Sequence, residues 1–167
     1  MCFVEPIGPP GAAPNIQLDE KSIIKASLQF WDQMLAMALD PLVASEEFCL
    51  GAGHLVGTVN LSGAWHGRIE IRMDSELALH ATAAMLMQPV DAVVESDQMD
   101  AVKEIANMIA GVIKSSLPRP CAMTVPEAGV NPERFCGAMR NAYSVAVAFH
   151  HDAGKMLVCV LKCERAA

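Results

Sequence analysis

Hydrophobic and polar positions sort most clearly between Ser96 and Pro118, where the chain reads S-D-Q-M-D-A-V-K-E-I-A-N-M-I-A-G-V-I-K-S-S-L-P. At about 100° per residue the side chains fall into two stripes. Ala101, Ile105, Met108, Ile109 and Val112 form an apolar one, which asks for a core. Asp100, Glu104, Asn107, Gly111 and Lys114 recur at helical spacing on the other side and form a narrow polar one. The pattern predicts a helix over Asp97–Leu117, capped by Ser96 or Asp97, with acids in its first turn, Lys114 in its last, and Pro118 as the stop. Gly111 inside this helix costs roughly 1 kcal/mol relative to alanine. With Ala110 beside it, it predicts a flat patch next to Asn107, from which Glu104 and Asn107 stand out. Spacing alone also fits a merely solvated helix face.

The other periodic segments build a domain around this helix. Lys21–Ala38 predicts a first helix, entered from Asp19-Glu20 and ended by Asp40-Pro41. His54–Leu61 and Trp65–Met73 predict two strands joined by a Ser62-Gly63-Ala64 turn, the second alternating Ile69, Ile71, Met73 against Arg68, Glu70, Arg72. A helix follows over Ser75–Met87, capped by Asp74 or Ser75 and stopped before Pro89. Beyond the organising helix, Cys121–Val125 predicts a strand and Pro126–Asn141 an irregular stretch. Ala142–Phe149 and Met156–Leu161 predict a last hairpin, turning through His150–Lys155. Both of its strands are rich in Val, Ala and Leu. The order is α, β-hairpin, α, α, then three strands. That is an α+β domain with two long helices packed on one mainly antiparallel sheet. Residues 1–17 hold four of the ten prolines and read as a flexible N-terminal tail ahead of a single domain over 18–167.

Composition narrows the function. The 167 residues are 53% hydrophobic, enough for one sizeable core, and the 11 Met must fill much of it because aromatics are only 5%. A formal net charge of −7 argues against nucleic acid and anionic membrane as partners. No apolar run approaches the ~20 residues of a membrane span, and MCFVEPIGPPGAAP has neither a basic nor an apolar signal region. A cytoplasmic protein is expected. Its six cysteines, none in a C-x-x-C, are then expected reduced and mostly buried. No metal-ligand spacing, Gly-rich phosphate loop or G-x-S-x-G is present.

The string D-A-V-K-E-I-A-N-M-I-A-G, from Asp100 to Gly111, resembles the E-x-x-N helix of the CheX/CheC family of chemotaxis phosphatases. Gly63, Trp65 and Gly67 also hold the places of that family's G-x-W/F-x-G turn. The single motif resembles the CheX side of the family. The resemblance implies a CheC-like fold and a phosphatase acting on the phosphoaspartate of a CheY-like receiver domain, in chemotaxis or related two-component signalling, or a catalytically inactive CheX-like domain that binds a receiver or other signalling partner. It implies Glu104 and Asn107 as catalytic residues and Asp100, Ala110, Gly111 and Lys114 as binding residues. Asn107 would orient the attacking water, and Glu104 would pair with a receiver lysine. No cofactor of its own is implied, Mg²⁺ being brought by the receiver. CheX-like chains form dimers, and the apolar last strands suggest a homodimer joined through strand edges.

Overall fold

The computed structural model describes residues 18–42, 48–136 and 145–163. The expected tail and the first three residues of the expected strand Ala142–Phe149 lie outside them. Three helices, α1 (Glu20–Leu35), α2 (Ser75–Leu86) and α3 (Glu95–Ser115), cover one face of a seven-stranded antiparallel sheet. Its strands are β1 (Asp40–Leu42), β3 (His54–Gly63), β4 (Gly67–Met73), β5 (Cys121–Met123), β6 (Glu127–Asn131), β8 (Val145–His151) and β9 (Gly154–Lys162), in the order β1-β8-β9-β4-β3-β5, with β6 also on β3. A separate pair, β2 (Cys49–Leu50) and β7 (Phe135–Cys136), packs on the other face.

Alternation sets what each face buries. Leu55, Val59, Ile69, Ile71, Val158 and Phe149 point toward the helices and are buried there. Ala148, Leu157 and Cys159 point the other way, and Phe48, Leu50 and Phe135 cover them. Two glycines permit close approaches. A Cβ on Gly57 would lie 2.9 Å from the Ala106 Cβ and 3.0 Å from the Val102 carbonyl oxygen, so α3 sits directly on β3. Gly63 has φ +123°, and a side chain there would strike the Pro120 carbonyl. That turn runs from Ala64 to His66, not over Ser62–Ala64, and buries Trp65 in the core.

Several boundaries differ from expectation. The Asp19 carboxylate caps α1 by accepting from the Ser22 hydroxyl (2.6 Å) and N–H (2.9 Å), and these bonds, the hydroxyl's first, hold it below the usual carboxylate range. The helix ends at Leu35 because Ala36 turns left-handed (φ 51°), its N–H on the Asp32 carbonyl; Asp40-Pro41 lies beyond and enters β1. α2 begins after Asp74, whose side chain does not cap it. It accepts instead from the N–H groups of Gly51 (3.0 Å) and Lys155 (2.9 Å), tying two loops together. α3 starts after Val94, whose N–H donates to Asp97 Oδ2 at 3.4 Å, so Ser96 and Asp97 lie inside the first turn rather than at the cap. The segment expected to be irregular contains β6 and β7. His150 and His151 end β8, and the turn is Asp152-Ala153.

Two chemical expectations also change. Cys49 and Cys136 are joined in a disulfide, because the β2–β7 register sets them directly opposite each other. Among the other described cysteines Cys121 is half-buried, Cys159 buried and Cys163 exposed. The last hairpin offers less open edge than expected: among the described residues β1 pairs with β8 over Ala148–His150 and not over Val145–Val147, and β9 lies between β8 and β4. The sheet's ends are β1 on one side and the β5/β6 pair on the other.

On the face opposite the helices, Arg72 is almost enclosed. It pairs with Glu70, its guanidinium lies 4.7 Å from the Phe135 ring centre, and Nη1 lies 3.1 Å from His54 Nε2. A guanidinium only donates, so Nε2 accepts, and His54 Nδ1–H donates to the Gly51 carbonyl at 2.9 Å. No helix in the described residues is long and apolar enough to cross a membrane.

Candidate functional site

The buried face of α3 comprises Ala101, Val102, Ile105, Ala106, Ile109, Ala110 and Ile113. It is centred roughly 60–70° further round the helix than the expected stripe, at about 100° per residue. Ala101, Ile105 and Ile109 are buried as expected, but Met108 is only half-buried and Val112 is 45% exposed. The reason is small residues: Ala106 and Ala110 let the helix approach the sheet, and the packing follows them rather than the largest side chains.

This rotation decides which proposed site residues share a surface. Glu104 is exposed, Asn107 half-buried, and neither side chain has a hydrogen-bond or ion-pair partner among the described residues. Gly111 continues their line, and nothing lies within 4 Å of the position a Cβ would take there. Its lack of a side chain is therefore not required by this chain's own packing. Asp100 lies at the near end of the line and is exposed, with an oxygen 3.1 Å from Lys103 Nζ. Lys114 lies at the far end, half-buried. Ala110 does not join them. It is fully buried in the core, so the flat patch consists of Gly111 alone, bordered by the exposed Val112.

A groove of about 730 Å³ adjoins the far end of this line, between the end of α3 and β5. Gly111, Lys114 and Ser115 form one wall, and Arg119, Cys121 and Met123 the other. Sequence reading does not single out Arg119, because its nearness to Lys114 depends on β5 pairing with β3 at Leu61–Gly63. The visible signal is only that a cation follows the helix stop within S-S-L-P-R-P.

The domain is thus a helix layer on one face of an antiparallel sheet, with a carboxylate and a carboxamide, unpaired among the described residues, one turn apart on the outer face of its longest helix. The chain belongs to the CheX family: the family model described as "Chemotaxis phosphatase CheX" matches residues 55–150, a span that contains the whole of α3. Solved structures agree on the fold. The chemotaxis protein CheX from Vibrio vulnificus is 18% identical, with a TM-score of 0.66 over 90% of this chain and 98% of that one. The chemotaxis protein CheX from Desulfovibrio desulfuricans is 18% identical, with a TM-score of 0.66 over 86% and 97%. The CheX-CheY-BeF3-Mg²⁺ complex from Borrelia burgdorferi matches at 22% identity, with a TM-score of 0.60 over 86% and 97%. No curated protein sequence matches the chain.

Proposed function

We propose that the protein is a cytoplasmic phosphatase that hydrolyses the phosphoaspartate of a CheY-like receiver domain, in chemotaxis or related two-component signalling. The observation that carries this reading is the pair Glu104 and Asn107, one turn apart on α3 and without partners in the described chain. Membership in the CheX family and the fold shared with a CheX crystallised on CheY support it.

An acyl phosphate is already labile, so catalysis reduces to placing water in line with phosphorus. The Asn107 carbonyl oxygen accepts a hydrogen bond from that water, and its NH₂ donates to a phosphoryl oxygen. Water oxygen bonds to phosphorus as the P–O bond to the aspartyl carboxylate breaks. The carboxylate leaves with the bonding pair, and both of the water's protons go with the phosphate product, which leaves as dihydrogen phosphate and exchanges protons with solvent. Glu104 accepts from a receiver lysine and aligns α3 with the site. The receiver supplies Mg²⁺ along with the phosphoaspartate, and no covalent intermediate forms on this chain.

The test is phosphate release from phosphorylated receiver domains of the same genome, comparing the protein with Asn107→Ala. A folded Asn107→Ala with full turnover removes the water-orienting role and leaves a receiver-binding domain without hydrolysis. A homodimer belongs to the same reading, joined at β1 or at β5/β6, which end the sheet. Light scattering at tens of micromolar (on the order of assay concentrations) should give twice the chain mass, and a monomer there removes the dimer.

A further inference from the structure

We propose that the groove between the end of α3 and β5 is a docking subsite for an acidic segment of the receiver domain, apart from the place where phosphate is released. The inference rests on the reading that a receiver is the partner, and it adds which of the partner's surfaces this chain selects.

Charge is the first argument. The chain carries a net −7, yet Lys114 and Arg119 line the same groove with no ion pair among the described residues. Two other cations do have carboxylate partners: Lys103 lies on Asp100 and Arg72 on Glu70. An acidic protein that leaves two cations unpaired in one concavity presents a local attraction for carboxylates, which favours encounter and fixes register.

Continuity is the second. Gly111 belongs both to the Glu104–Asn107 line and to the groove wall. At about 1.5 Å per residue, Lys114 stands roughly 10 Å along the helix from Asn107. The groove begins at Gly111, one turn beyond the phosphoryl group held at Asn107, and its far wall carries Arg119, so its two cations suit a second acidic group of the same partner. The open space over Gly111 lets the partner's backbone pass from one place to the other. Cys121 and Met123 add an apolar wall, so the segment that fits carries a carboxylate next to an apolar side chain.

The test measures binding separately from hydrolysis. Fluorescently labelled receiver domains from the same genome, activated with beryllofluoride, are titrated with the full chain and followed by anisotropy. Lys114→Glu/Arg119→Glu should raise Kd about tenfold at low ionic strength, with the difference shrinking as salt is added. Arg119→Glu alone, at an exposed position, should raise it about threefold and serves if the double variant does not fold. The wild-type protein gives an independent readout: bound receiver should shield Cys121 from maleimide, scored on the Cys121 peptide by mass spectrometry.

An unchanged Kd in the charge-reversed variants, or equal labelling of Cys121 with and without receiver, overturns the proposal. So does equal shielding by millimolar inorganic phosphate alone (on the order of cellular levels), which makes the groove a simple anion site. A change in oligomeric state on charge reversal also overturns it, because the groove is then an interface between copies. Receiver binding that depends on the groove but releases no phosphate removes the phosphatase reading and keeps the docking site. Phosphate release with an unchanged Kd does the reverse.

Discussion

The outer face of the sheet and the outer face of α3 both carry charged and amide or imidazole side chains, and they use them in opposite ways. On the sheet, Arg72 satisfies Glu70 and the Nε2 of His54, stacks near Phe135, and leaves the other His54 nitrogen to the Gly51 carbonyl. Each polar group has a fixed partner, and the assembly is almost closed to water. On α3, Glu104 and Asn107 have none among the described residues, and the glycine beyond them faces open space. Burial with satisfied partners is what a polar group needs when it supports a fold. Exposure without partners, repeated at one helical face beside a groove, leaves hydrogen-bonding capacity for another molecule.

Substitutions on the two faces should therefore separate stability from activity. The largest effect is expected on the sheet. Arg72→Leu strands Glu70, whose side chain is 9% exposed, and should cost about 3 kcal/mol in urea unfolding while the remaining folded protein keeps its turnover. Loss of turnover without loss of stability would break the contrast. Next is Asn107→Ala, which should lower kcat by about 10²-fold with little change in KM, since its contribution arises mainly in the transition state. Glu104→Ala should instead raise KM, by about tenfold. Both should melt within a few degrees of wild type, as surface changes usually cost little. The smallest effect sharpens the comparison most. Gly111→Ala should stabilise the fold by about 1 kcal/mol, because a methyl there meets nothing in this chain, and should weaken receiver binding by placing that methyl in the interface. A variant more stable and equally tight would remove Gly111 from the contact surface.

Much of this was readable from local pattern. α3, the β3–β4 hairpin, α2 and the last hairpin each carry a periodicity strong enough to fix their type, and Glu104, Asn107 and Gly111 fall on the open side as their spacing requires. The rest depends on partners distant in sequence. β6 reads E-A-G-V-N, whose only apolar side chains are Ala128 and Val130, too few and too small to announce a strand, and Val130 is 48% exposed because the strand lies at an end of the sheet. β1 contains Pro41, which the edge tolerates and a periodicity reading treats as a break. The two cysteines of the disulfide are 87 residues apart, and only the β2–β7 register makes them neighbours. Ala110 and Val112 exchanged their expected environments because close packing on Gly57 rotates the helix, a fact carried by β3 and not by α3.

The Gly57 contact also bears on how such a domain can diversify. With no side chain between β3 and Val102 or Ala106, the inner half of α3 is bound to a glycine elsewhere in the chain, and neither can change alone. The outer half is under no such constraint. Over evolutionary time the inner positions should drift only in concert with β3, while the outer ones remain free to be rewritten for a different partner. One helix thereby holds an inherited scaffold on one side and an adaptable recognition surface on the other, so that lineages can change what they bind without refounding the fold.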